Sequence, residues 1–345
     1  MRMTLAAPFP YFGGKRRVAD LVWAALGDVQ NYLEPFFGSG AVLLARPGPV
    51  AGVETVNDAD AMVSNFWRAL QADPDAVAYH ADWPVNENDL HARHAWLVGV
   101  KDSLQARLEG DPEFHDAKVA GWWAWGMSCW IGSGFCSGDG PWGVAEVGGV
   151  RKLVHLGDKG RGVNRNLVHL GRGQGVSRHR VADGLLCYLR AIADRMRHVR
   201  VCCGDWSRIM GDTPLRVGTP AGVFLDPPYA TEAGRDMNLY RVESGTVAHA
   251  AREWAIEHGD DPDVRIVLCG YDGEHAMPEG WLVLDGKAGG SGHGFGGQAK
   301  NGYANANRER LWVSPHAARR IEAAARGVSV EELRQGQMSL LGEAK

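Results

Sequence analysis

The order of apolar runs constrains the fold of this chain most strongly. Near the N-terminus, runs typical of buried strands lie at 31–36 and 50–58, and each is followed by a run with helical spacing, at 41–45 and 61–70. A chain that alternates strand and helix in this way favours a parallel sheet with helices on both faces. We therefore expect an α/β fold with a doubly wound, mostly parallel sheet.

The same alternation resumes from Gly184, after a different middle region. The sequence there predicts a helix over 184–199 and another over 244–258, with a charged amphipathic helix over 317–335 near the end. The predicted strands of this half are 199–206, 222–229, 265–273, 280–286 and 309–315. The two halves together contain enough strands for one large sheet.

Composition narrows the class of protein. A chain of 345 residues is long enough for one large domain with an insertion, or for two domains. The formal net charge of −4 gives no overall basic field that would indicate a nucleic-acid partner. Its six cysteines form no CxxC pair, as expected for reduced thiols in the cytoplasm. No apolar run approaches 18 residues, so we expect neither secretion nor a membrane span.

A glycine-rich turn follows the first predicted strand. Gly38 and Gly40 stand between that strand and the next helix, where glycines let a ligand approach the backbone at a helix N-terminus. Asp58 lies 18 residues after Gly40, at the end of the second strand, where an acid binds ribose hydroxyls in nucleotide sites. The alternative is a turn that is glycine-rich only for tight packing.

Three further motifs carry polar groups to the ends of predicted elements. In "YFGGKRR" (11–17), a lysine lies ahead of a helix and could bind an anion such as an amino-acid carboxylate. The alternative is that this segment is only the solvated start of a helix. In "CCGDW" (202–206), an acid beside an indole suits an adenine, or the acid is a helix N-cap. In "LDPPY" (225–229), two prolines stiffen the turn that holds a carboxylate, unless it is an ordinary surface turn.

The order YFGGK, LEPFFGSG, NDAD, CGDW, LDPPY resembles that of the Dam-like, alpha-group DNA adenine-N6 methyltransferases, over about 1–70 and 184–315. This resemblance implies a Rossmann-like methyltransferase sheet with an inserted target-recognition domain. It implies three parts: an S-adenosylmethionine-dependent catalytic domain at 1–79 and 181–316, a DNA-binding domain at 80–180, and a C-terminal helix with a flexible tail at 317–345.

The resemblance also implies roles for individual residues. S-adenosylmethionine would be the cofactor, S-adenosylhomocysteine its product, and no metal would be needed. The catalytic residues would be Asp226, Pro227, Pro228 and Tyr229. The cofactor-binding residues would be Tyr11, Gly13, Gly14, Lys15, Glu34, Pro35, Phe36, Gly38, Gly40, Asp58, Asp205, Trp206 and Asp226. Tyr11 stands where relatives often have Trp, and Trp206 where Phe is common; both keep an aromatic ring.

The LDPPY turn fits the chemistry of an exocyclic amine. Asp226 and the carbonyl of Pro227 would accept hydrogen bonds from the amine of a flipped-out adenine, on which Tyr229 would stack. Cytosine-N4 methyltransferases need the same acceptors but more often carry Ser in place of Asp226. A DNA-binding relative that has lost catalysis is a second alternative, and an RNA substrate a less favoured one. A stand-alone methylase and the modification half of a restriction system both fit.

The segment 151–180 is the predicted grip on double-stranded DNA. It has eight Arg or Lys residues against one acid, Asp158, which is a local net charge of +7. The predicted DNA contacts are Arg161, Arg165, Arg172, Arg178 and Arg180. The alternative is a solvated glycine-rich loop. The tryptophan cluster at 122–130 either wedges into a base stack or forms a core, and we favour the core.

The C-terminal tail suggests a protein partner. The sequence "QMSLL" resembles the peptide with which bacterial replication proteins dock in a sliding clamp, with the contacts Gln337, Met338, Leu340 and Leu341. A frayed terminus with chance leucines is the alternative. We expect the protein to act in the cytoplasm of a bacterial cell or at its nucleoid, as a monomer or weak dimer.

Overall fold

A seven-stranded sheet forms the centre of the fold. The computed structural model describes residues 5–11, 15–48, 50, 52–130, 135–136, 142–147, 150–155, 181–228, 246–286 and 308–332. The strands of the sheet are β1 (Asn31–Glu34), β2 (Val53–Asp58), β5 (Val199–Cys203), β6 (Ala221–Leu225), β7 (Val264–Tyr271), β8 (Leu282–Asp285) and β9 (Glu309–Val313). A separate antiparallel hairpin contains β3 (Trp142–Val147) and β4 (Val150–His155).

The strand order places a topological switch point between β1 and β6. Along the sheet the order is β5-β2-β1-β6-β7-β9-β8. Strands β5, β2, β1, β6 and β7, which are neighbours in this order, are parallel, and β9 runs antiparallel to both of its neighbours. From β1 the chain builds the sheet outward first on one side, through β2 and β5, and then on the other, through β6 and β7. Ligands of such sheets bind where the strand order reverses, at the carboxyl ends of the strands.

Ten α-helices lie wholly within the described ranges. They are α1 (Ala19–Leu26), α2 (Ala41–Leu44), α3 (Ala61–Ala72), α4 (Pro74–Ala81), α5 (Glu87–Gly110), α6 (Ala117–Cys129), α7 (Val181–Met196), α8 (Asp212–Leu215), α9 (Val247–His258) and α10 (Pro315–Arg326). Two short 3₁₀ helices span Lys15–Arg17 and Trp206–Ile209. Within these ranges, none of the helices combines the length and the apolar content that a membrane span requires.

The predicted α/β architecture with a doubly wound, mostly parallel sheet is confirmed, while several element ends differ from the prediction. The strand predicted over 199–206 stops at Cys203, because Gly204 has a positive φ of +128° and turns the chain. The last predicted strand stops at Val313, because Pro315 already begins α10. The helix predicted over 317–335 ends at Arg326, where Gly327 adopts the left-handed conformation.

Helices α4, α5 and α6 are missing from the sequence prediction. In α5 the buried positions do follow a helical period, but two of them are Arg93 and His94. Charged and polar residues on the buried stripe hide the apolar period from which an amphipathic helix is recognised. Helix α5 was therefore missed because of the polar side chains among its buried residues and not because of their spacing.

The tryptophan cluster packs in one core with α3. Trp123 and Trp125 are buried, and the ring centroid of Trp123 lies 4.7 Å from that of Phe9 and 6.2 Å from that of Phe66. The favoured core role is confirmed for these two rings. The proposed boundary of an inserted domain at residue 80 stays a prediction, since α6 shares its core with the helix before that boundary.

A buried carboxylate joins the two halves of the proposed catalytic domain. Glu54 on β2 accepts from Arg46, after α2, at 2.9 Å and from Arg195, on α7, at 2.6 Å. A buried charge is tolerated only when it is paired and hydrogen-bonded. The pairing therefore holds α7, from the second half of the chain, against β2, from the first.

The shared core predicts that the sheet and α6 unfold together. We expect Trp123→Ala to lower the free energy of unfolding by about 3–5 kcal/mol, because it leaves a cavity between Phe9 and Phe66. Denaturant unfolding followed by circular dichroism measures this, and a single transition is expected. Tyr79→Ala removes an aromatic ring that is 75% exposed and serves as the control, with a change of about 0.5 kcal/mol or less. An equally small effect at Trp123 would contradict the shared core.

Candidate active site

The glycine turn after β1 is shaped by an aromatic ring. Gly38 has a φ of +49°, and a Cβ built there would lie 2.7 Å from the ring of Tyr11. The backbone conformation and the close approach both require glycine. Gly40 has a φ of +67°, but its neighbours are the rings of Phe37 and Trp67, so its visible role is packing inside the protein.

Asp58 fixes this turn from the end of β2. Its carboxylate accepts a hydrogen bond from the backbone N–H of Gly38 and another from that of Asp60, both at 2.8 Å. Each carboxylate oxygen has two lone pairs, so a ribose hydroxyl can still be accepted there. The ribose contact stays a prediction, and the observed role of Asp58 is to hold the glycine turn against β2.

Asn57, which the sequence reasoning assigned no role, joins the two loops that flank the site. Its side-chain amide donates to the carbonyl of Pro35, at 3.2 Å, and to that of Gly204, at 3.0 Å. Within the described part of the chain, its Oδ1 is buried and has no hydrogen-bond partner. Asn57 precedes Asp58 directly, so its place at a strand end was the signal that was available.

An aromatic pair lies across the same two loops. The rings of Phe36 and Trp206 stack with their centroids 5.8 Å apart and their planes at 27°. Asp205, beside them, caps the 3₁₀ helix that starts at Trp206, since its Oδ1 accepts from the backbone N–H of Ser207 at 2.9 Å. The helix-cap alternative for Asp205 is thus what the structure shows, and its contact with an adenine stays a prediction.

A lysine with two carboxylates lies at the end of β6. The Nζ of Lys15 is 3.0 Å from Oδ1 of Asp226 and 2.6 Å from Oε1 of Glu309. The lysine side chain is 5% exposed, against 16% for Asp226 and 21% for Glu309. Sequence reasoning missed Glu309, because it arrives on the antiparallel strand β9, far from the motifs in the chain.

The electrostatics of this site favour protonation of two carboxylates, those of Asp226 and Glu34. Burial raises the pKa of Asp226 to about 6, Lys15 lowers it, and Glu309 and Glu274 raise it. Burial also raises the pKa of Glu34, on β1; the hydroxyl of Tyr32, which donates to Glu34 at 2.8 Å, opposes this shift, and the nearby Asp226 adds to it. Asp226 is therefore poised to change charge in mildly acidic solution.

The other predicted site residues divide into two sets. Pro35 and Pro227 are buried, and Pro228 is partly buried. The predicted residues that lie outside the described ranges are Gly13, Gly14, Tyr229, Arg161, Arg165, Arg172, Arg178, Arg180, Gln337, Met338, Leu340 and Leu341. Their proposed roles stay predictions.

The described residues fit a nucleoside that carries an amino-acid end. The glycine turn at Gly38, the aromatic Phe36–Trp206 pair and the ammonium of Lys15 are groups of the kind that bind such a molecule. The ring of Tyr11 lies against Gly38, and Lys15 is already paired with Asp226 and Glu309. In the described ranges, no group of three or more His, Cys, Asp or Glu side chains is arranged to hold a metal. The geometry places Asp226, paired with Lys15, at the carboxyl end of β6, next to the switch point of the sheet.

This part of the chain also matches a known family. Residues 11–94 match the model of the D12 class N6 adenine-specific DNA methyltransferases. The predicted resemblance to Dam-like adenine methyltransferases is confirmed by this match, which spans Tyr11, Lys15, Glu34, Gly38 and Asp58. No curated protein matches the chain.

The match to the D12 class supports DNA adenine methylation as the general activity. Similarity to a methyltransferase class implies the use of S-adenosylmethionine, and similarity to a DNA methyltransferase class implies DNA as the substrate. The seven-stranded sheet is consistent with a Rossmann-like methyltransferase fold. Asp205 and Asp226 lie outside the matched range, so their part in the site depends on the geometry.

The raised pKa of Asp226 predicts a pH-dependent stability. A carboxyl group whose pKa is higher in the folded than in the unfolded protein stabilises the fold when the pH is below the unfolded-state pKa of about 4. This stabilisation is lost as the pH rises through the folded-state pKa of about 6. From pH 4 to pH 8, the wild type should therefore lose up to about 3 kcal/mol of unfolding free energy relative to Asp226→Asn. Urea unfolding across this range measures the difference, with Asp102→Asn, an exposed change on α5, as the control. A difference that stays constant with pH would contradict the raised pKa.

Proposed function

We propose that this protein transfers a methyl group from S-adenosylmethionine to the N6 amine of an adenine that is flipped out of double-stranded DNA. The observation that carries the proposal is the position of Asp226, a largely buried carboxylate, 16% exposed, that is paired with Lys15 at the switch point of the sheet. The match of residues 11–94 to an adenine-specific class supports adenine over the cytosine-N4 alternative.

Residues around the switch point would hold the cofactor. S-adenosylmethionine, when bound, supplies a methyl group on a positively charged sulfur. Lys15 would receive its carboxylate, Asp58 its ribose, and the Phe36–Trp206 pair would pack on its adenine ring. Asn57 would keep the two walls of this site at a fixed spacing, because its amide already bridges their carbonyl groups.

Asp226 and Pro227 would activate the target amine. The lone pair of an exocyclic adenine nitrogen is delocalised into the ring, which makes the amine a poor nucleophile. The Asp226 carboxylate and the Pro227 carbonyl would each accept a hydrogen bond from one N–H group of this amine. These two hydrogen bonds favour a pyramidal nitrogen with a localised lone pair. The adjacent prolines hold both acceptors in place, so little reorganisation is needed when charge develops on the nitrogen. Only the ionised carboxylate accepts in this way, so transfer should weaken as the pH falls through about 6.

The target base must leave the duplex before Asp226 can reach it. The amine of a stacked, paired adenine is inaccessible to an acceptor inside a protein site. We assign Tyr229 to stacking on the extruded base, and the arginines of 151–180 to the phosphates. The catalytic domain would comprise 1–79 and 181–316, and the ion pairs of Glu54 with Arg46 and Arg195 support it by joining these two parts.

The proposal predicts that methyl transfer depends on the Asp226 carboxylate. We expect Asp226→Ala to lower the rate of labelled methyl transfer to DNA by about 100-fold or more, because the amine loses its charged acceptor. Asp102→Asn, on exposed α5, should transfer at the wild-type rate. Mass spectrometry of the digested product should identify N6-methyladenine. Transfer by Asp226→Ala near the wild-type rate, or N4-methylcytosine as the product, would contradict the proposal.

The glycine turn predicts a specific loss of cofactor affinity. We expect Gly38→Ala to weaken binding of S-adenosylmethionine about tenfold or more, because the new methyl group displaces the Tyr11 ring and strains the turn. Gly48→Ala is the matched control: its φ is also positive, at +76°, but its Cβ would meet no atom within 4 Å. Titration calorimetry of both variants measures the difference, and equal affinities would contradict a cofactor site at this turn.

A further inference from the structure

The ammonium of Lys15 is divided between two carboxylates that come from different strands. Its distance to Oε1 of Glu309, 2.6 Å, is shorter than its distance to Oδ1 of Asp226, 3.0 Å. A lysine this deeply buried needs partners for its charge. Glu309 supplies the closer of the two, so it competes with the catalytic carboxylate for the same cation.

Glu309 is held in place by the sheet itself. It is the first residue of β9, where it pairs in register with Tyr271 of β7. Its carbonyl accepts from the backbone N–H of Gly286, next to β8, at 3.0 Å. A side chain on a strand that is paired on both sides has a fixed origin, so its carboxylate can act as an anchor for a flexible lysine.

We propose that Glu309 is a positioning residue of the methyl-transfer site: it holds the Lys15 ammonium so that Lys15 stays beside Asp226 without neutralising it fully. This inference rests on the proposed function. A lysine paired with Asp226 alone would occupy the carboxylate oxygen more tightly and compete with the target amine for it. By drawing the ammonium toward β9, Glu309 keeps the carboxylate available as an acceptor.

The charges around Asp226 make this role measurable. The groups that act on it are Lys15 from the 3₁₀ helix before α1, Glu309 from β9, Glu274 after β7 and Glu34 from β1, with the Cys269 thiol on β7 also nearby. Lys15 is the cation among them. Removal of the Glu309 charge therefore removes a repulsion from Asp226 and also a competitor for the Lys15 ammonium, and both changes favour the ionised form of Asp226.

The test is the pH profile of methyl transfer by Glu309→Gln. We expect the acidic limb of kcat/KM for DNA, at saturating S-adenosylmethionine, to move to lower pH by about one unit. Lys15→Met should move the limb to higher pH, because Asp226 then loses its counterion. Glu309→Asp keeps the charge and should keep the limb near its wild-type position. A purely structural role of Glu309 would lower the rate at every pH and leave the limb where it is.

A matched control comes from the neighbouring strand. Asp285 on β8 pairs with Arg310 at 3.3 Å, on the same hairpin but outside the group around Lys15. Asp285→Asn should leave the pH profile superimposable on that of the wild type. An unshifted limb in Glu309→Gln, or a shift to higher pH, would overturn the proposal. If Glu309→Gln fails to fold, Glu309→Met replaces it with the same expected direction.

A measurement without substrate separates this inference from the proposed function. The pH dependence of the unfolding free energy, compared between each protein and its Asp226→Asn counterpart, reports the ionisation of Asp226 in the free protein. The midpoint should be lower in the Glu309→Gln background than in the wild type. A lowered midpoint with no methyl transfer by the wild type would confirm that Glu309 controls the ionisation of Asp226 through Lys15, and would reject the methyltransferase proposal. An unchanged midpoint together with methyl transfer by the wild type would reject the role of Glu309 and leave the methyltransferase proposal standing.

Discussion

The buried ammonium of Lys15 joins parts of the chain that lie almost 300 residues apart. It binds Asp226, at the end of β6, and Glu309, on β9, from a short helix that precedes the first strand. A charge buried to this degree is stable only if the carboxylates stay in place. The N-terminal segment, the turn at Asp226 and the antiparallel edge of the sheet therefore depend on one another through a single side chain.

The topology of the sheet brings the rest of the site to this ion pair. Because β1, β2, β5 and β6 are parallel, their carboxyl ends meet at one edge, and the order reverses between β1 and β6. The glycine turn, Asp58 and the loop at Gly204 are thus neighbours although they are distant in sequence. Hydrogen bonds from Asn57 and to Asp58 then fix the spacing between them. A preformed cradle of this kind lowers the entropy that a ligand must lose on binding.

The same burial that organises the site works against its charged state. In the proposed reaction Asp226 must be ionised to accept an amine, yet burial and two neighbouring carboxylates raise its pKa to about 6. Lys15 opposes this effect, and Glu309 limits how far it does so. A site of this kind gives up stability near neutral pH in exchange for a carboxylate that is poorly solvated and ready to accept.

The sequence by itself determined the sheet, its parallel core and the identity of most groups at the switch point. Strand–helix alternation and the position of glycines and acids at strand ends are local properties, so Gly38, Asp58 and Asp226 could be placed from the chain alone. Helix α5 could not be predicted, because Arg93 and His94 interrupt its apolar stripe. The place of Glu309 in the site and the bridging role of Asn57 could not be predicted from the sequence either. Their partners are set by the pairing of β9 with β7 and by the approach of two loops, and such long-range contacts exist only once the tertiary structure has formed.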